Sequence, residues 1–208
     1  MKNQFSSWQL ALLLVLACAI LRMVGNLDAH LLSGFTPCVA LAFVGAVFLP
    51  HRWSWLVGVA AILVSEAAFL KWNVLSDGFM LSPFLLVSLG FYAAMGGMGV
   101  LLAQRKSLGL LFGGPVLGSI VFYVIANTFS WWSSFHWGVL PAYAPNFAGW
   151  IQANTVGLPG YVPAWTFLRN AIVGDLIFTI VLIAIFEPAL LTRFSGKSIR
   201  DNAAVRLS

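Results

Sequence analysis

The sequence predicts an all-α integral membrane protein, a single transmembrane domain of six helices. Three observations predict it. Hydrophobic residues make up 61% of the 208 residues and charged residues only 8%, whereas a soluble domain carries about 25% charged residues and needs them to cover its water-facing surface. The mean hydropathy is +0.93. Apolar runs recur along the whole chain, and a helix needs roughly 20 apolar residues to cross the hydrocarbon of a bilayer.

The first helix is expected at about 8–25. The N-terminal "MKNQFSSWQLALLLVLACAILRMVG" has a longer apolar run than a signal peptide and no small-x-small site to end it, so it is expected to be retained. Cys18 falls inside this run as a small buried hydrophobe. The second helix, about 37–50, is short and follows a turn from Gly34 to Pro37. Pro suits the first helical turn, which places Cys38 at the outer N-terminus, where the helix dipole favours a thiolate. The third helix, about 54–72, carries Glu66. The fourth, about 83–103, holds the small-residue run "GFYAAMGGMG", and the fifth, about 108–127, opens with Gly114-x-x-x-Gly118. Ala42-x-x-x-Ala46 gives the second helix a similar face. Such spacing lets helix backbones approach closely, either inside the bundle or, for Ala42 and Ala46, against a partner subunit. The last helix is expected at about 164–187, followed by a basic tail, 188–208.

Charge placement orients these helices. Lys2, Arg52, Arg105, Lys106, Arg193, Lys197, Arg200 and Arg206 fall on one side of an alternating six-helix bundle. Arg22, Lys71 and Arg169 fall towards the other, near helix ends where they can snorkel. This asymmetry puts both termini in the cytoplasm and leaves 26–36, 73–82 and 128–163 outside. The third outer connection lies within a stretch, Ser107 to Leu168, that has no Asp, Glu, Lys or Arg. It carries Trp131, Trp132, Trp137 and Trp150, with Trp165 just beyond, and is expected to fold down over the helix ends as an interfacial element or a lid. Tryptophans collect at membrane interfaces without binding anything, and a surplus of them would also suit a flat ligand.

No phosphate-binding loop and no H-E-x-x-H, C-x-x-C or G-x-S-x-G motif occurs in the sequence. Neither ATP hydrolysis by the P-loop route nor an acid–base–nucleophile set is visible, and the basic balance follows loops rather than a nucleic-acid face. Charges within spans cost a few kcal/mol unless paired or hydrated, as a rough measure. Glu66 and Asp175 therefore pair with Arg22, Arg169 or backbone groups, or Glu66 joins Arg169 and Asp28 in a pocket opening outward.

Two segments carry a family resemblance. "FTPCVALAFVGAVFLP" is similar to the N-F-[ST]-P-x-x-A-L-A-L-F opening of a family of small bacterial membrane proteins that resemble the substrate-binding S-components of energy-coupling-factor vitamin transporters. "GSIVFYVIANTFSWW", with "GWIQANTVGLPGYVPAWTFLRNAIVGDLIFT", resembles the same family's later helices and its P-x-x-x-x-x-R-N-x-x-x-G-D start to the last one. The resemblance runs from the second helix to the sixth, and departs at Cys38, where the pattern has an aliphatic residue. It implies a six-helix bundle in the bacterial inner membrane with an outward-facing pocket roofed by the three outer loops. It also implies uptake of a vitamin-like molecule, with Ala42 and Ala46 facing a transmembrane partner that works with an ATPase, unless the chain acts alone. Arg169, Asn170, Asp28, His30, Cys38, Asn127 and Trp131 are then the expected pocket residues. Arg169 would hold a carboxylate or phosphate, the asparagines would pair donors with acceptors, and Trp131 would stack. No intrinsic cofactor is expected. A cysteine ligand to the corrin cobalt characterises the BtuM-type cobalamin transporters of this wider class, which makes cobalamin the leading ligand. Cys38 then ligates cobalt or packs, and thiolate attack on the upper cobalt ligand would add a chemical step. The rival classes are an assembly subunit of a larger membrane complex and a membrane-embedded enzyme.

Overall fold

The computed structural model describes residues 7–27, 34–49, 53–72, 83–136 and 143–190, and these contain helices but no strand. We number the helices α1 (Ser7–Leu27), α2 (Cys38–Phe48), α3 (Val57–Trp72), α4 (Pro83–Leu102), α5 (Leu108–His136), α6 (Phe147–Ala153) and α7 (Ala164–Phe186). Helices α4, α5 and α7 are each long and apolar enough to cross a membrane. Of the sequence-predicted positions, Asp28 and His30 lie outside the described residues.

Helix α2 is the axis on which the others assemble. Every residue from Cys38 to Leu49 is buried, so the helix is enclosed on all sides rather than amphipathic. Its middle turn, Leu41–Gly45, is a π-helix, a widened turn that occurs most often at functional sites. Ala42 and Ala46 are 0% and 2% exposed. Instead of facing a partner subunit, they face inward, because the neighbouring helices present glycines to them. A Cβ on Gly58 of α3 would lie 2.4 Å from the Ala42 Cβ. One on Gly99 of α4 would lie 2.3 Å from the Phe43 carbonyl oxygen and 3.0 Å from the Ala46 Cβ. On α5, Gly114 abuts the Phe43 ring and Gly118 abuts Val39. The small-residue patterns are thus the inner lining of one cylinder built around α2.

The chain enters this cylinder from the end where α7 begins. Gly34, with φ 75°, turns the backbone against Phe167 in the first turn of α7. Thr36 then passes Gly174, whose missing side chain leaves the backbones 3.4 Å from where a Cβ would be. Helix α2 starts only there, and its C-terminal Phe48 stacks on Phe186 at the end of α7, with ring centroids 5.5 Å apart. Lys106, from the short α4–α5 connection, closes that end, 5.0 Å from the Phe48 ring centroid and 3.5 Å from Glu187. The second helix expected from the sequence is therefore about half of one. Residues 34–37 cover the first half of α7 without helical structure, and α2 covers the second.

Two boundaries also differ from expectation. Helix α5 does not stop near 127 but continues to His136, because no glycine or proline intervenes between Gly118 and Gly138. Within the expected loop 128–163, α6 forms where the Asn146 side chain accepts the Gly149 N–H at 2.9 Å as an N-cap.

The glycine lining is open to a direct test. Gly99→Ala should lower stability by about 1–3 kcal/mol through overpacking. Gly97→Ala, with nothing within 4 Å of the new methyl, should lose none. Thermal unfolding midpoints in detergent compare the two.

Candidate functional site

The first N–H groups of any helix lack intrahelical acceptors, and hydrocarbon offers no water to replace them. At the start of α2 the acceptor comes from α7. One oxygen of Asp175 accepts the Ala40 N–H at 2.7 Å, and the other accepts the Ser119 hydroxyl of α5 at 2.5 Å. Asp175 has no exposed surface and is the twelfth of the 23 residues of α7. A carboxyl group, two helix walls and a helix N-terminus thus converge midway along the longest packed helices. Thr179, one turn further along the same face of α7, is also fully buried, and its hydroxyl has no hydrogen-bond partner among the described residues.

Cys38 begins α2 at this point. It is completely buried, and its sulfur lies 3.4 Å from that of Cys18, also completely buried, in the middle of α1. The expectation that Cys38 lies at an outer mouth is not met. The helix starts deep in the bundle because residues 34–37 descend along α7 before it begins.

A second polar cluster joins α1 to α3. Arg22 donates to Ser65 at 2.6 Å and to Glu66 at 2.5 Å, with its guanidinium carbon 5.1 Å from the Phe69 ring centroid. The other Glu66 oxygen, Oε2, is buried without a partner among the described residues. Of the two roles open to Glu66 and Asp175, Glu66 is paired with Arg22 and Asp175 with a backbone N–H.

The remaining predicted residues lie towards the end where the chain enters. Arg169 is exposed, with its guanidinium carbon 5.4 Å from the Trp165 ring centroid and its Nε donating to Asn170 at 3.1 Å; Asn170 is buried. Arg169 lies six residues before Asp175, roughly 9 Å along the helix axis. Asn127 donates to the Tyr123 carbonyl at 2.9 Å. The Trp131 indole donates to the Ala144 carbonyl at 2.9 Å, and its ring meets Phe135 edge-on. The aromatic segment is folded back along α5. Besides Trp131 to Ala144, Trp150 donates to Thr128 at 2.9 Å and Tyr123 to the Asn154 carbonyl at 2.8 Å. Two of these three hydrogen bonds come from tryptophans and one from a tyrosine. The structure brings Arg169 to Asn170, but Trp131 lies twelve residues beyond Ser119 on α5, roughly 18 Å along the axis, and so stands well away from Cys38.

Sequence reasoning missed Ser65, Ser119, Thr179 and the pairing of Cys18 with Cys38. The spacing Asp175-x-x-x-Thr179 was available as a signal, since both fall on one helix face. A lone serine inside an apolar run is a weaker one.

A family model described as Family of unknown function (DUF6580) matches residues 2–197, and the chain belongs to that family. No curated protein and no solved structure matches it.

The Asp175 contacts generate the next prediction. Asp175→Ala leaves the Ala40 N–H at the α2 N-terminus without its acceptor, at a cost of about 1–3 kcal/mol, while the Ser119 hydroxyl keeps the Pro115 carbonyl at 2.9 Å. Asp175→Asn keeps one acceptor oxygen and should lose less, measured by thermal unfolding in detergent. For the second cluster, Arg22→Met and Glu66→Leu should each destabilise more than the double substitution does, because either alone strands a buried charge.

Proposed function

We propose that this family member is a membrane transport protein that captures a vitamin-sized small molecule at the roofed end of the bundle. The observation that carries this reading is the position of the α2 N-terminus. In membrane transporters, interrupted helices place their N-terminal N–H groups near the bilayer midplane, where substrate or coupling ions bind. Buried ionisable groups in spans mark the same pathways. Here a non-helical segment, a half-length helix, Asp175 and a π-helical turn coincide.

In this reading the chain crosses the bacterial inner membrane six times with both termini in the cytoplasm. The substrate enters beside Arg169 and Asn170, where the exposed guanidinium would hold an anionic group. No step of bond-making on the protein is required, so the function is transport rather than catalysis. The energy comes from a transmembrane and ATPase partner pair of the energy-coupling-factor type or from the substrate's own gradient. Since Ala42 and Ala46 are enclosed, such a partner would contact another face. Cobalamin is the substrate that the resemblance of Cys38 and its surroundings suggests. The thiol is covered by α1, so a corrinoid would reach it only after α1 moves aside.

The test is the visible absorbance and mass spectrum of detergent-purified protein expressed with and without cobalamin. A co-purifying corrinoid, absent from Arg169→Ala and spectrally altered in Cys38→Ala, is the expected result. Protein that takes up no corrinoid at saturation removes cobalamin as the substrate. Arg169→Ala should weaken binding of any anionic ligand at this site at least about tenfold, the loss expected for roughly 1.4 kcal/mol.

A further inference from the structure

We propose that Cys18 and Cys38 form a redox pair that closes to an intramolecular disulfide, with a lipid-soluble quinone as the oxidant. The two sulfurs are in contact at 3.4 Å although twenty residues separate them in sequence. Both are free thiols and neither has exposed surface. The pair is also mechanically able to close. Cys38 is the first residue of its helix, preceded by Pro37 at φ −88° and ψ 25° and by the non-helical turn from Gly34. It can therefore approach Cys18 without bending a helix, which a cysteine in mid-helix cannot do. The chemistry balances within the pair and its oxidant. Two S–H bonds break and one S–S bond forms, and the two protons and two electrons released reduce the quinone to a quinol.

Burial selects the oxidant. Thiol reactivity follows access; Leu12, Leu13, Leu16 and Ile20 expose to hydrocarbon the face of α1 opposite Cys18, so the sulfurs are met only when α1 parts from α2, and an apolar two-electron acceptor enters such an opening where a charged aqueous oxidant cannot. The consequence is a lock. In the dithiol form α1 can part from α2 and uncover Cys38; in the disulfide form the two helices are stapled at the N-terminus of α2. The inference stands on the thiol pair alone, whatever the protein transports.

The experiment uses the full-length protein in lipid nanodiscs, incubated with a short-chain ubiquinone analogue or with the anionic oxidant ferricyanide, then denatured and treated with maleimide. The quinone should lower the intact mass by two hydrogens and protect both cysteines from alkylation. A reductant should reverse both effects, ferricyanide should leave the thiols alkylatable, and Cys18→Ser should show neither protection nor the mass change. Closure should also raise the thermal midpoint relative to reduced protein. Two thiols that remain alkylatable after quinone overturn the proposal, as does closure that proceeds as readily with ferricyanide.

Discussion

The acceptance of the Ala40 N–H by Asp175 is the contact on which the rest of this fold depends. A helix that begins inside an apolar bundle must have its first N–H groups satisfied there, and no water is present to do it. The carboxylate on α7 does so, and a hydroxyl from α5 satisfies its second oxygen. Three helices are fixed relative to one another by one side chain. The depth at which α2 begins, the unwound path of residues 34–37 and the burial of Cys38 all follow from it.

Enclosing a helix so completely sets a second condition. Its neighbours must come nearer than ordinary side chains allow, and Gly58, Gly99, Gly114 and Gly118 meet that condition from three helices. Close approach of this kind favours association in hydrocarbon, where burial of apolar surface provides no net drive. The same lining is incomplete between α4 and α5. An apolar groove of about 470 Å³ runs there past Phe91, Met98, Gly113 and Leu117.

Much of this was legible in the sequence, and the failures have physical causes. Apolar runs located the long helices, since length and hydropathy are the quantities a bilayer selects. Glu66, Asp175 and Arg22 stood out because charge in an apolar run needs a partner, and two of the partners found, Arg22 and a backbone amide, were among those foreseen. The depth of α2 was not legible, because a short buried helix and a short spanning helix share one composition. Its length was the clue: eleven residues from Cys38 to Phe48 rise roughly 16 Å, about half a crossing. The end of α5 was misjudged because hydropathy falls in "SWWSSFH", yet no helix breaker occurs there. The contact of Cys18 with Cys38 depends on tertiary packing, which no spacing along one chain records.

The enclosure of α2 also bears on how the protein is made. A segment of eleven residues is too short to partition into a bilayer as a spanning helix, and its acceptor lies 135 residues further along the chain. Until α7 has been produced, the Ala40 N–H lacks the acceptor that it has in the folded bundle. The N-terminus of this helix is thus capped only once α7 is in place, although the helix is among the first segments translated. Truncated chains ending before α7 would present it, uncapped and apolar, to the quality-control proteases of the cell.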